Sequence, residues 1–415
     1  MAPPPARVIV LRMLSSTGRD LHHIVIAGGG VAALEALVAL HRQAPAACRI
    51  TLACPNSTFA YRPLAVQEPF GGGAGRRYSV ATMARDLGAA YVRDTLSRID
   101  APEHRIVLQS GASLEYDTLI VATGARPYPA FTHGITFDRE HDAVEFDELL
   151  ADVDARLAPH VAIVVPEHVG WTLPGYELAL SIAAYGRRPH GRRVGVTLVT
   201  HERQPLAAFG TTASRVVAEV LGEAGVDLIT GREAVVMSDA ALIAGTQWIT
   251  ADRIVALPRV AGPRPRGLPS DPHGFIPVDP HGRVPDVPGV YAAGDGTAAS
   301  IKQGGLAAQQ ADAVVAHVLW QIGAGPEPEP PSPVLRGVLG TARGTLYLQA
   351  DLGPGRAGEG SVASWLPLWP APGRVASRWL GGYLDGEAES RTLAGRPRRE
   401  PAPGAMRVNA LRAPC

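Results

Sequence analysis

"HHIVIAGGGVAALEALVALHRQ", His22 to Gln43, decides the fold. The run "HHIVIA" is short, apolar and β-branched enough for a buried strand, and the alanine-rich stretch after the glycines has helical spacing. Between them Gly28, Gly30 and Ala33 satisfy Gly-x-Gly-x-x-Ala. Gly28 permits the tight turn, Gly30 lets a pyrophosphate approach the backbone, and Ala33 lets the helix lie close to the sheet. Val31 and Ala32 open the helix, whose N-terminal N–H groups and dipole favour a phosphate. A bare glycine triplet is weak evidence. Placed between a strand and a helix, it predicts a dinucleotide site.

Reading outward, "RITLAC" (Arg49–Cys54) is a second strand, expected to pair parallel with the first. The acidic residue that usually holds a ribose about 20 positions on is replaced by Cys54. A backbone group or Asn56 holds the ribose instead, or it is held less tightly. "RIVLQSGASLEYDTLIVATGARP" predicts a hairpin leading into another buried strand. From about Ala151 the pattern restarts, with strand "HVAIVVP", helix "YELALSIAAYG", strand "VGVTLVT" and helix "TASRVVAEVLGEAGV". This internal repeat predicts an α/β chain of two Rossmann-like three-layer domains, followed by a small C-terminal domain. The expected division is a flexible leader over 1–20, a first domain over 21–149 and 266–323, and a second over 150–265. The proline-rich "GAGPEPEPPSP" then links to a C-terminal domain over 334–385, and 386–415 reads as a disordered tail.

Composition narrows the function. Lys plus Arg and Asp plus Glu number 39 each, so zero net charge gives no general attraction to nucleic acid. Three cysteines (Cys48, Cys54, Cys415) make no disulfide framework, and no segment approaches the roughly 18–20 apolar residues of a membrane span. A cytoplasmic protein without a metal site is expected, its oligomeric state left open. In "SWLPLWPAPGRVASRWLGGYL" the residues Val375, Trp379, Leu380 and Tyr383 fall on one helical face. Such a stripe either packs on the rest of the protein or touches a membrane peripherally, and packing is the commoner outcome.

"YDTLIVATGARP" (Tyr116–Pro127) and "GVYAAGDGT" (Gly289–Thr297), in that order after "GGGVAA", resemble the flavin-binding signatures of the two-dinucleotide-binding-domain flavoproteins. The resemblance covers about residues 22 to 320. "FAYRPLAV" and "IKQGGLAAQQAD" look most like the sulfide:quinone oxidoreductase and type II NADH dehydrogenase branch. It implies FAD, with Gly28, Gly30 and Ala33 along the pyrophosphate and Ala122, Thr123 and Gly124 where the chain crosses between domains. Gly294 would allow a close approach, and Asp295 would accept from a ribityl hydroxyl. Cys48 and Cys54 fall at the ribose end, and Leu96 is expected among the cofactor-binding residues. Arg62 stands where relatives with covalent flavin carry cysteine, so FAD is expected to be noncovalent. Gly304 and Gly305 open the helix aimed at the flavin edge, where its dipole would favour negative charge.

Two departures bear on the substrate. In "PEHVGWTLPGYELA" (Pro166–Ala179) the tail resembles Gly-x-Glu-x-Ala, but the preceding glycines give way to a loop with Pro166, Trp171 and Pro174. Proline lacks an N–H donor, so a second phosphate cradle is disfavoured and NAD(P)H is left uncertain as the donor. Trp171 either stacks on a flat donor or shields the flavin. Glu177 is the best acid–base candidate, with a helix-face carboxylate as the plain alternative. The second departure is that no paired thiols exist for disulfide or persulfide chemistry.

Lys302 is the only lysine in the chain. It lies on the loop entering the helix that should face the flavin. Its slim stem and compact charge would fit beside a flat ring where arginine's fork would not. The reading is a flavoenzyme passing two electrons from a small donor to a quinone, oxygen or another acceptor. A redox-sensing or binding protein, or a biosynthetic enzyme acting on a specialised metabolite, remains as an alternative.

Overall fold

The computed structural model describes residues 21–61, 65–71, 75–138, 143–188, 191, 193–353, 360–370 and 375–386. The expectations for the leader, for the tail beyond 386 and for Arg62 lie outside them.

The opening stretch folds as read: strand His22–Ala27, then helix Val31–Gln43. That strand is central in a parallel five-stranded sheet ordered Val290–Ala292, Thr118–Val121, His22–Ala27, Cys48–Ala53, Ala90–Val92. Buried on both faces, its residues Ile24 to Ala27 are uniformly apolar, as a parallel sheet demands. On one face lie the helices Val31–Gln43 and Gly304–Gln321, in contact with each other and sharing one core that includes Leu34, Leu37, Ala311 and Val315. On the other lies an antiparallel meander, Leu96–Asp100, Arg105–Leu108 and Ser113–Glu115, which includes the expected hairpin.

The second half repeats this plan. Strands Ile135–Thr136, Arg253–Ala256, His160–Val165, Gly195–Thr200 and Val226–Ile229 form a second parallel sheet in that order. Helices Ala143–Ala155, Leu173–Gly186 and Gly210–Glu223 cover one face. A meander of Ala234–Ser238, Ala241–Ala244 and Gln247–Thr250 covers the other. The chain passes from one sheet to the next between Val121 and Ile135, earlier than residue 149, because Phe146, Leu149 and Val153 already belong to the second core.

The antiparallel strands Val334–Thr341, Gly344–Asp351 and Val362–Ser364 follow. Leu335, Leu339, Leu346 and Leu348 sink into the second core, so this sheet shares an interior with its neighbour. The apolar stripe near the C-terminus is only partly helical. The helix spans 380–386, which leaves Val375 and Trp379 before it. Leu380 and Leu384 are buried in the first core, with Trp379 and Tyr383 packed against it. Burying a leucine contributes about 1.5–3 kcal/mol, enough to hold a short helix down. Glu35, buried inside the first helix, accepts from the backbone N–H groups of Arg378, Trp379 and Leu380 at 2.9, 2.8 and 2.7 Å. The carboxylate thereby satisfies the donors that begin this helix. Among the described residues, no helix is long and apolar enough to cross a membrane.

Candidate active site

The C-terminal ends of the first sheet meet in three loops. Gly28 has φ +138°, and a side chain there would place its Cβ 2.1 Å from the carbonyl oxygen of Ala122. Glycine is therefore required by both conformation and contact. Hydrogen bonds from Gly28 N to Ala53 O (2.9 Å) and from Ala122 N to Ala27 O (2.8 Å) fix the turn. Ala33 is fully buried against the first core, so the sequence expectation of close packing holds there. In front of Gly30 a Cβ would meet nothing within 4 Å, and the helix that begins at Val31 has no side-chain cap and no acidic residue in its first turn.

The strand Val290–Ala292 brings the second glycine loop onto this turn. A Cβ on Gly294 would stand 2.9 Å from that of Ala32, and one on Gly296 3.1 Å from the carbonyl oxygen of Gly124. Thr123 is exposed beside Gly124, which has φ +70° and open space before it. Gly294 donates to Gln310 Oε1 at 2.7 Å, and Thr297 Oγ1 donates to Gly294 O at 2.9 Å. Asp295 makes no hydrogen bond among the described residues. Burial pushes its carboxyl above the usual range, and nearby Lys302 opposes that.

Two expected residues lie off the open side of the turn. Cys54 is buried beneath it, its sulfur 2.7 Å from where a Cβ of Gly29 would be, and burial pushes its thiol up. Leu96 begins the meander and packs on the core that contains Ala27, Ala53 and Val121. Cys48 and Cys54 are free, buried, and at opposite ends of one extended strand.

Lys302 is buried, at 8% exposure. Its backbone N–H donates to Gly170 O at 2.7 Å, tying it to the loop that replaces the second glycine turn. Its Nζ donates to Thr297 O and sits 3.7 Å from the ring centroid of Phe275. Burial lowers its pKa to about 8, against the pull of Asp295 and Asp271. The next residue, Gln303, caps the helix Gly304–Gln321 by accepting from Leu306 N at 2.9 Å. A Cβ on Gly304 would lie 3.4 Å from Val375, and one on Gly305 2.9 Å from Gln303 Oε1, so this helix start is closely covered.

Trp171, Glu177 and Lys302 line one cavity of about 230 Å³. All three expected catalytic residues are thus brought together. Trp171 rests 5.8 Å from Phe209, centroid to centroid. Glu177 is buried in the helix Leu173–Gly186, where Gln67 Nε2 donates to its Oε1 at 2.8 Å. Gln67 also borders a second cavity of about 380 Å³, lined by Phe70, Tyr185, Arg188 and Gly340. Sequence reasoning missed Gln67, Phe275 and Arg336. None lies in a glycine motif, and only an unpaired charge in the alternating strand Val334–Thr341 could have flagged Arg336.

Residues 22–311 match the family described as pyridine nucleotide-disulphide oxidoreductase. The chain belongs to that family. Over 223 residues it is 27% identical to the sulfide-quinone reductase of Aquifex aeolicus, an alignment covering 50% of each, so it spans about half the length of that curated relative. The solved structure of the sulfide:quinone oxidoreductase from Aquifex aeolicus superposes with a TM-score of 0.71 at 19% identity, covering 90% of this chain and 91% of that one. A ferredoxin reductase from Rhodopseudomonas palustris gives a TM-score of 0.59 at 21% identity, covering 80% and 82%. These likenesses establish the two-sheet fold. Membership in the pyridine nucleotide-disulphide oxidoreductase family brings with it the class, an oxidoreductase built around FAD. The residues present fit that cofactor. Gly30 and Gly124 face open space, the first helix offers uncapped N–H groups, and Asp295 is a half-buried carboxylate with no hydrogen bond to a described residue.

Proposed function

We propose that the protein is an FAD-dependent oxidoreductase taking two electrons from a small organic donor and delivering them to a quinone, oxygen or another acceptor. One observation carries the reading: the glycine turn Gly28–Gly30 and the loop Gly294–Asp295 abut at the edge of one parallel sheet, with open space before Gly30. FAD, when bound, supplies the two-electron chemistry. Gly28, Gly30, Val31, Ala32 and Ala33 would flank its pyrophosphate, and Asp295 would accept from a ribityl hydroxyl. Ala122, Thr123, Gly124, Gly304 and Gly305 would border it further along. Lys302 would stabilise negative charge arriving with the electrons, Glu177 would hold or release a proton, and Trp171 would exclude water.

The organic donor is favoured over NAD(P)H because the second glycine turn is replaced. Pro166 and Pro174 remove backbone donors there, and the Lys302 stem crowds Gly170, lying 2.6 Å from where its Cβ would be. Purified protein should carry a yellow chromophore that is released intact by heat. Under anaerobic conditions NADH and NADPH should bleach it slowly or not at all. Colourless protein that takes up no FAD would sink the reading, and fast bleaching by either nucleotide would reinstate NAD(P)H as donor.

A further inference from the structure

The cavity that holds Trp171, Glu177 and Lys302 has one wall from an unexpected source. Arg336, on the strand Val334–Thr341, reaches it from the C-terminal sheet. Its carbonyl accepts from Gln303 Nε2 at 3.2 Å, but its guanidinium makes no hydrogen bond to any described residue. Its Nε is buried without a partner. Asp351, whose charge acts on it, forms no ion pair with it among the described residues, and the Trp369 ring lies 5.8 Å away. Arg336 is half-buried, its Nε shut off from water while the residue as a whole is not, and a partly desolvated, unpaired guanidinium favours an anionic partner.

The rest of the wall sets the kind of anion. Among the described residues its charged side chains are Lys302, Arg336 and Glu177, two cations to one acid. Glu177 is engaged by Gln67, and the Lys302 ammonium is turned to Thr297 O, which leaves Arg336 as the unmatched charge. Trp171, Leu173 and Val338 supply apolar surface. A volume of about 230 Å³ suits a small organic molecule.

We infer that this cavity binds a small organic acid, its carboxylate paired with Arg336 and its apolar body against Trp171 and Val338. The planar fork of arginine matches a carboxylate in bidentate fashion. This deepens the proposed function by naming the substrate class of the same site, and it rests on that reading.

Benzoate, benzamide and inorganic phosphate, titrated separately into the protein carrying its flavin, test the inference. Tryptophan fluorescence reports on Trp171 and Trp369, and flavin absorbance reports separately. Benzoate should bind saturably and about tenfold or more tightly than benzamide. Arg336→Gln should erase that preference, and Arg336→Lys should restore part of it. Benzamide binding as tightly as benzoate, phosphate binding as tightly as benzoate, or no saturable response to benzoate would each overturn the inference. So would an Arg336→Gln variant that keeps the preference. Failure of the flavin assignment is told apart by the FAD content of the heat-released supernatant, because the fluorescence readout does not need flavin.

Discussion

Gly170 and Lys302 are packed so closely that no methyl group fits between them. The Gly170 carbonyl accepts from Lys302 N, and a Cβ on Gly170 would lie 2.6 Å from both Cβ and Cγ of Lys302. Gly170→Ala should therefore destabilise by about 1–3 kcal/mol through overpacking and displace the lysine. Thermal unfolding measures the first effect, and a shifted flavin spectrum the second. An unchanged Tm would show that the loop yields freely.

Lys302 should give the flavin potential an extra break near pH 8, where its ammonium loses its proton. Lys302→Met should lower the potential by about 30 mV for each tenfold loss in stabilisation and remove the break. Lys302→Arg should shift it too, since the broader fork does not fit the same space. Because the folded pKa lies below the unfolded value of 10.5, the unfolded chain binds more protons between about 8 and 10.5. This group's contribution to stability therefore rises with pH across that window. Spectroelectrochemical titration from pH 6 to 10 checks the potential.

Glu35→Ala should release the C-terminal helix. Three backbone N–H groups lose their acceptor, at a cost of about 1–3 kcal/mol, and limited proteolysis should then cut near residue 378. Glu35→Gln keeps one acceptor oxygen and should fall between. Equal protease resistance in both variants would contradict the capping role.

Asp312 makes stability depend on pH in the opposite direction from an ordinary surface carboxylate. Burial, chiefly, and the neighbouring Glu35 raise its pKa to about 7. Between the model-compound value of 3.8 and about 7 the folded protein holds the extra proton, so this residue's contribution falls as pH rises through that window. Asp312→Asn should remove the decline and leave the variant more stable than the parent at pH 8. Paired melting curves at pH 5 and pH 8 measure it.

Both sheets were legible because buried parallel strands are apolar runs bounded by glycine turns, and "GGGVAA", "ATGARP" and "AAGDGT" mark the ends of three of them. The candidates Trp171, Glu177 and Lys302 come from two separate sequence stretches, and the fold gathers them around one cavity. What escaped has no local signal. Gln67 reaches Glu177 across 110 residues, and Arg336 enters from a strand whose pattern speaks only of burial and exposure. The first crossing into the second sheet was misplaced because Ile135–Thr136 is too short to show a strand period. The C-terminal stripe was read as one helix because its spacing is helical, yet only its last part winds.

The bond from Leu380 N to Glu35 joins residues 345 apart. The core around the first helix also needs Leu380 and Leu384 to fill it. A ribosome making this protein thus exposes the cofactor-binding half long before its last pieces emerge. That half can close only after Leu384 has emerged, whereas the buried residues of the second core are all present once Ala350 is out. The order of folding in the cell then reverses the order of the sequence.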